Sequence, residues 1–311
     1  MIDFCGIPLA HPIVNGSGTF DAIAARRAFG DALLANFPFS AFVSKTITLS
    51  PREGNPPPRL WEAQAGMINS IGLPNRGLRG YLEHDLPQLA VLGVPLITNV
   101  MGSTAAEVAA LVEGVDERPE IAAIELNVSC PNVATGLDIG ADPASLGTLV
   151  RAVRPLTRKV LIVKLTPNTA DVAAVALAAE SEGADALSLI NTLRAGALAP
   201  GGGAPWLGGV TGGLSGPAIR SVALAQVGAV ARRVALPIVG MGGVASGSHA
   251  RDLLSAGATL VAVGTESFRD PAAGSRIARE LKSLQIAGSG STTLNEAEAQ
   301  VEVDTNCTDS R

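Results

Sequence analysis

The sequence predicts a (β/α)₈ barrel, and two features of the chain carry this prediction. Short runs of Val, Ile and Leu alternate eight times with longer helical patterns rich in Ala, Leu and Val. Nearly continuous apolar runs are typical of parallel strands that are buried on both faces. Eight consecutive βα units without a second zone of composition favour a closed barrel over the alternative, an open doubly wound sheet.

The predicted elements follow one another in a regular order. The strands are expected at Pro12–Asn15, Ala41–Ser44, Leu96–Asn99, Ala122–Asn127, Val160–Lys164, Ala186–Ile190, Pro237–Met241 and Leu260–Val263. The helices are expected at Ala22–Phe29, Leu78–Leu89, Ala105–Glu113, Pro143–Val153, Ala170–Glu182, Pro217–Val234, Gly247–Ser255 and Pro271–Leu281. Capping residues support several helices, with Ser103–Thr104 before the third, Asn168–Thr169 before the fifth, and Gly183 and Gly257 after helix ends.

Four segments lie outside the eight units. Ile2–Leu9 predicts a small hairpin that closes the bottom of the barrel. Ser50–Leu73 and Leu193–Leu214 are long irregular inserts, of the kind that form lids or binding loops. Ala287–Arg311 is rich in Gly, Ser and Thr and then acidic, which predicts a disordered tail behind a barrel domain at residues 1–286.

Composition and charge exclude several classes of protein. The 311 residues carry a net charge of -5, but the tail from Ala287 holds five acids and one base, so the body is nearly neutral. A neutral body with 3% aromatic residues argues against a nucleic-acid-binding protein. Three cysteines cannot form a disulfide framework and fit a reducing cytoplasm. The chain begins without a signal peptide and holds no spanning apolar run, so we expect a cytoplasmic protein without membrane contact.

Polar residues stand where most of the predicted strands end. In a barrel these carboxyl ends form the active site. They supply two lysines, several amides and glycine-rich turns, namely Gly16, Ser17, Gly18, Thr19, Lys45, Asn99, Asn127, Lys164, Asn191, Thr192, Gly242, Gly243, Gly264 and Thr265. Both lysines follow apolar runs, where a solvated lysine is not expected. The pattern predicts a site for a polar, planar ligand.

The last two strands end in glycine-rich turns, Gly240–Gly243 and Val263–Thr265. The loops after strands seven and eight commonly bind phosphate in barrels, through backbone N–H groups. The alternative is that these glycines only make tight turns. The spacing does not match the dinucleotide fingerprint G-x-G-x-x-G, because the third glycine is missing.

Cys130 is the candidate for acid–base chemistry, because it follows a strand and stands beside Pro131 and two asparagines. A thiol with a pKa near 8.5 needs modest help from its surroundings to accept a proton. The alternative for any cysteine is a small buried apolar residue, which suits Cys5 in the hairpin, while Cys307 lies in the tail. The three histidines are scattered, so no metal site is predicted.

Eight strings of the chain match a known family. They are Val43–Thr46, Gly54–Arg59, Asn69–Asn75, Glu125–Val133, Val163–Asn168, Ile190–Leu193, Thr211–Ile219 and Gly240–Val244. In this order, from about Ile2 to Leu281, the chain resembles the class 1 dihydroorotate dehydrogenases. The resemblance implies an FMN-dependent (β/α)₈ barrel that oxidises (S)-dihydroorotate to orotate in pyrimidine biosynthesis.

The resemblance also implies a role for individual residues. Cys130 would take the C5 proton of dihydroorotate as general base, while the C6 hydride passes to FMN. The substrate would be held by Lys45, Asn69, Ser70, Ile71, Gly72, Leu73, Asn127, Asn132, Asn191 and Thr192. FMN would be held by Ser17, Lys45, Thr46, Asn99, Asn127, Lys164, Ile190, Gly216, Gly242, Gly243, Gly264 and Thr265.

Within the class, the strings Thr211–Ile219 and Gly240–Val244 resemble the 1B type more than the fumarate-using 1A type. The 1B type implies a homodimer inside a heterotetramer, with a partner subunit that carries FAD and a 2Fe–2S cluster and passes electrons to NAD⁺. A 1A-like homodimer stays open as an alternative. Two further hypotheses are a tRNA-dihydrouridine synthase-like flavoprotein, which would need a basic surface, and a barrel that binds ligand without catalysis.

Overall fold

The structure of the chain, a computed structural model, describes residues 1–128 and 139–287. The elements alternate as the sequence predicts. The strands are β1 (Ile2–Phe4), β2 (Ile7–Leu9), β3 (Ile13–Asn15), β4 (Phe42–Val43), β5 (Leu60–Ala63), β6 (Gly66–Asn69), β7 (Leu96–Val100), β8 (Ile121–Asn127), β9 (Val160–Lys164), β10 (Ala186–Leu189), β11 (Leu193–Ala195), β12 (Gly212–Ser215), β13 (Ile238–Met241) and β14 (Leu260–Val263).

Helices connect the strands on the outside. They are α1 (Ala22–Phe29), α2 (Asp31–Ala35), α3 (Gly77–Gly80), α4 (Leu86–Leu89), α5 (Ala105–Asp116), α6 (Pro143–Val153), α7 (Val172–Ser181), α8 (Arg220–Ala231), α9 (Gly247–Ser255) and α10 (273–287). A π-helical turn, Tyr81–Asp85, interrupts the helix that the sequence predicts as continuous between Leu78 and Leu89. Within the described residues, no helix has the length and apolar character needed to span a membrane.

Eight strands form a parallel sheet in the order β3-β14-β13-β10-β9-β8-β7-β4, which confirms the predicted barrel. The sheet closes between β3 and β4 through a side chain. Asn15 Nδ2 donates to Val43 O and Asn15 Oδ1 accepts from Val43 N, both at 2.8 Å. Asn15 is fully buried, and its amide bridges the seam next to a backbone hydrogen bond from Ser40 N to Ile13 O at 3.0 Å.

The N-terminal hairpin closes the bottom of the barrel, as the sequence predicts. Cys5 and Gly6 turn the chain with φ angles of 53° and 84°, the left-handed geometry that tight hairpin turns need. Phe4 and Leu9 are buried in one apolar cluster with residues of the barrel strands, among them Ile97. The barrel interior below the strand ends is therefore a packed core.

One prediction about the inserts is wrong. Ser50–Leu73 and Leu193–Leu214 are not irregular, because they contain β5, β6, β11 and β12. These strands pair antiparallel in the order β11-β12-β6-β5 and form a small separate sheet. Each strand has only three or four residues, and the pair that joins the two inserts, β12 with β6, spans more than a hundred positions of sequence, so no local pattern indicates the four-stranded sheet.

A second correction concerns the start of α7. The sequence predicts a cap at Asn168–Thr169, but Asp171 caps the helix by accepting from Ala173 N and Ala174 N, each at 3.0 Å. Asn168 instead donates to Thr192 O at 3.0 Å and ties two loops together. The predicted cap of α5 is confirmed, since Thr104 Oγ1 accepts from Glu107 N at 3.2 Å.

Candidate active site

Four polar side chains meet inside the barrel wall on β7, β8, β9 and β10. Glu125 Oε1 accepts from Asn99 Nδ2 at 2.5 Å, and Glu125 Oε2 accepts from Ser188 Oγ at 2.7 Å. Lys164 Nζ lies 3.9 Å from the same Oε1. We call these residues the Glu125 cluster; none of them is more than 5% exposed. Asn99 and Lys164 are predicted site residues, whereas Glu125 and Ser188 are not, although a single acid inside an apolar strand is a signal that can be read in the sequence.

Two members of the Glu125 cluster have unused hydrogen-bonding capacity. Asn99 Oδ1 is buried and has no hydrogen-bond partner in the described part of the chain. Across residues 1–128 and 139–287, the ammonium of Lys164 lies near Glu125 but makes no hydrogen bond within 3.5 Å. Buried polar groups are rarely left unsatisfied in native proteins. The Glu125 cluster therefore contains an acceptor and a donor that are available for a ligand.

A second group of predicted residues joins β8 to the loops after β3 and β4. Asn127 Nδ2 donates to Thr46 Oγ1 at 3.2 Å, and Thr46 Oγ1 lies 3.4 Å from Ser17 Oγ. Lys45 stands beside them but is exposed, which corrects the expectation of a shielded lysine at that strand end. Partial desolvation still lowers the pKa of Lys45 from its usual value. An exposed cation at this rim suits an anionic ligand that enters from solvent.

The predicted substrate loop at residues 69–73 has a fixed conformation. Asn55 N donates to Ile71 O at 3.0 Å, and Asn55 Nδ2 donates to Ser70 O at 3.1 Å. Gly72 has a φ of 75°, and a Cβ there would lie 2.4 Å from Asn55 N. Asn55 thus holds the loop in place, and only glycine fits at position 72.

The small sheet brings two more predicted residues together. Asn69 Nδ2 donates to Gly213 O at 3.3 Å, and a Cβ on Gly213 would lie 2.0 Å from Thr192 Oγ1. Asn191 Oδ1 accepts from Thr192 N at 2.9 Å. Asn69 and Thr192 therefore border the same strand, β12, although 123 positions separate them in the sequence.

The predicted phosphate turns form a cradle of bare backbone. Gly216, Gly242 and Gly243 have φ angles of 89°, 131° and 70°, and a Cβ on Gly243 would lie 3.0 Å from Gly216 O. A Cβ on Gly216 would lie 3.5 Å from Thr265 Cγ2, so the turns after β12, β13 and β14 adjoin. Such close backbone approach is what an anion bound by N–H groups requires.

Ile190 and Gly264 border this cradle. A Cβ on Gly242 would lie 3.4 Å from Ile190 Cγ1, and one on Gly264 would lie 3.6 Å from Thr19 Cγ2.

Cys130 and Asn132 lie outside the described residues, as does most of the acidic tail, so the predictions on them stay predictions. The other predicted residues lie at the carboxyl ends of the barrel strands or on the loops and the small sheet that follow them.

The fold and this arrangement define a ligand-binding (β/α)₈ barrel, and comparison with known proteins gives its family. A family model described as dihydroorotate dehydrogenase matches residues 1–284, so the chain belongs to the dihydroorotate dehydrogenase family. The catalytic subunit of dihydroorotate dehydrogenase B (NAD⁺) from Geobacter metallireducens is 42% identical over 95% of either chain. The protein of the same name from Pelobacter propionicus is 44% identical over 90% of this chain and 91% of its own.

A solved structure supports the fold. It is the crystal structure of a dihydroorotate dehydrogenase from Eimeria tenella in complex with ferulenol, which superposes with a TM-score of 0.76. The match covers 92% of this chain and 85% of the other at 22% identity. At this identity the likeness establishes the common barrel architecture.

Proposed function

We propose that the chain is the FMN-dependent catalytic subunit of a type 1B dihydroorotate dehydrogenase, which oxidises (S)-dihydroorotate to orotate in pyrimidine biosynthesis. The observation that carries this proposal is the set of relatives, 42–44% identical over at least 90% of the chain, named as catalytic subunits of the NAD⁺-linked enzyme. The Glu125 cluster and the glycine cradle support it, because they fit the cofactor of this family.

The fit to FMN rests on complementary hydrogen bonding. The pyrimidine ring of a flavin offers an N–H donor next to carbonyl acceptors, and Asn99 Oδ1 and Lys164 Nζ offer the opposite pair. The phosphate fits the bare turns at Gly216, Gly242 and Gly243. When bound, FMN supplies the hydride acceptor, and Lys164 stabilises negative charge on the ring.

The substrate side of the site is assigned by hydrogen-bonding chemistry. Lys45 and the loop at residues 69–73 would bind and orient the carboxylate and the ring of dihydroorotate. The asparagines at 69, 127, 132 and 191 carry amide side chains, a group that can both donate to and accept from the amide groups of the substrate ring. Cys130 would accept the C5 proton, since a thiolate is a competent base near neutral pH.

The partner subunit is part of the proposal. Relatives named as a catalytic subunit imply a second, separate subunit, and we assign to it the FAD and the 2Fe–2S cluster that carry electrons to NAD⁺. The catalytic subunits would form a homodimer within a heterotetramer.

The proposal is tested by reducing the bound flavin with dihydroorotate in the absence of oxygen. The purified chain should be yellow, and dihydroorotate should bleach its visible absorption. Cys130→Ala should keep the flavin but bleach at least about a hundredfold more slowly, because a general base contributes roughly 10²–10⁴ in rate.

Cys5→Ala is the matched control. Cys5 lies in the hairpin at the opposite end of the barrel, where burial raises its pKa to about 11 and keeps the thiol protonated. This variant should bleach at the wild-type rate. A colourless chain that takes up no FMN would refute the function, and rapid bleaching by Cys130→Ala would refute the base assignment.

A further inference from the structure

Glu125 is a buried carboxylate that the proposed reaction does not use. It is the fifth of the seven residues of β8, is 3% exposed, and lies close to polar residues of β7, β9 and β10. A carboxylate loses its hydration in such a place and persists only where hydrogen bonds and a nearby cation compensate. The Glu125 cluster provides both the hydrogen bonds and the cation, so these interactions fix the position of the Glu125 side chain in the barrel.

The carboxylate determines the orientation of the Asn99 side chain. An ionised carboxylate only accepts hydrogen bonds, so Asn99 must turn its Nδ2 towards Glu125 Oε1, at 2.5 Å. The amide oxygen, Oδ1, then faces away and is left without a partner among the described residues. A neutral amide at position 125 would allow either orientation of Asn99.

Glu125 Oε1, the oxygen that accepts from Asn99, also faces the ammonium of Lys164 at 3.9 Å. This distance is too long for a hydrogen bond but short enough for a strong attraction at a buried site. Ser188 Oγ satisfies the other carboxylate oxygen at 2.7 Å and keeps the group from turning. Lys164 is thus held by charge while its donors stay free for a ligand.

We propose that Glu125 is a positioning residue for the flavin: it fixes the ammonium of Lys164 and the amide oxygen of Asn99 towards the pyrimidine ring of FMN. This inference rests on the proposed function, because it takes FMN as the ligand of the Glu125 cluster. Glu125 acts through its two neighbours and needs no contact with the flavin itself.

The test uses inorganic sulfite, which adds to flavin N5 and places negative charge on the ring near a cation such as Lys164. Sulfite affinity is read from the loss of visible flavin absorption, so only loaded protein contributes. Glu125→Gln should bind sulfite about tenfold more weakly than the wild type, because the ammonium is no longer held towards the ring. Glu125→Asp, which keeps the carboxylate, should recover most of this loss.

The effect must pass through the lysine. In a Lys164→Met background, which removes the charge but keeps a long side chain, Glu125→Gln should change sulfite affinity by less than about twofold. Glu120→Gln is the matched control, because Glu120 directly precedes β8 and forms an ion pair with Arg118 at the start of that strand. This variant should leave sulfite affinity unchanged.

The outcomes separate the two proposals. A wild-type chain that holds no flavin refutes the proposed function before Glu125 is tested. Unchanged or tighter sulfite binding by Glu125→Gln overturns the positioning role, as does an equal loss with and without Lys164. If Lys164→Met retains no flavin, failure of Glu125→Asp to rescue Glu125→Gln decides against the role.

Discussion

Tyr81 is the one tyrosine in the sequence, and its hydroxyl group is buried. It lies 2.8 Å from Thr98 Oγ1 inside the wall of the barrel, behind the strand that carries Asn99. Burial raises the pKa of the Tyr81 hydroxyl to about 12, while the hydrogen bonds to Thr98 and Ser44 oppose this shift. The phenol is therefore a neutral group that the fold keeps from ionising.

This shift predicts how stability changes at alkaline pH. The folded-state pKa exceeds the unfolded value near 10, so the contribution is complete below pH 10 and is lost as pH rises towards 12. About 2–3 kcal/mol of unfolding free energy should disappear over that range. Tyr81→Phe should lose about 1 kcal/mol at pH 8 through the missing hydrogen bond but show a flatter alkaline decline in urea unfolding.

Because the chain has a single tyrosine, phenolate absorption in the native protein reports Tyr81 alone. The native midpoint should lie well above 10, and the urea-unfolded midpoint should lie near 10. A native midpoint near 10 would show that the hydroxyl is not protected, and the stability prediction would fail with it.

At the scale of elements, Arg276 on α10 links the two turns that are predicted to bind phosphate. Its guanidinium donates to Glu266 Oε1 in the turn after β14 at 2.9 Å and to Ala245 O after β13 at 3.0 Å. Asp270 and Glu280 complete the network at 2.9 and 3.1 Å. Glu280 also accepts from Gly247 N at 2.6 Å, so it occupies the N-terminus of α9. One arginine therefore holds both sides of the glycine cradle.

Removing the Arg276 side chain should weaken FMN binding while the barrel stays folded. Arg276→Met should weaken FMN retention about fivefold and cost about 1–2 kcal/mol of stability, since the network is partly exposed. FMN dissociation followed by fluorescence and thermal unfolding measure the two effects. Arg279→Met is the control, because Arg279 bonds only within its own helix among the described residues; an equal loss in both variants would rule out a specific clamp.

Element prediction succeeded where the pattern is local. Pro143–Val153 and Gly247–Ser255 have the predicted bounds, because each begins with a capping side chain, Asp142 or Ser246, that bonds the first turn. The strands of the small sheet could not be predicted, because Gly66–Asn69 and Gly212–Ser215 stabilise each other only after the barrel has brought them together. Pairing between distant segments leaves no period in either one.

At the scale of the whole molecule, the chain is proposed to be one part of an electron-transfer assembly. The isolated chain should reduce an artificial dye with dihydroorotate but not NAD⁺, since its glycine-rich turns lack the dinucleotide fingerprint. Steady-state assays of the purified chain with dye, NAD⁺ and fumarate measure this. Efficient NAD⁺ reduction by the chain alone would contradict the need for a partner, and fumarate reduction would favour the 1A alternative.

The sequence by itself determined the barrel, the position of the strand ends and most polar residues there. These properties follow from near-neighbour patterns: apolar runs for buried strands, caps for helices, and motifs long enough to identify the family. Only the tertiary structure decided how the strand ends combine. It placed Glu125 between Asn99 and Lys164, showed Lys45 exposed while Lys164 is buried, and closed the barrel with the Asn15 amide. Burial and hydrogen bonding depend on which distant segments meet, and a linear pattern does not contain that information.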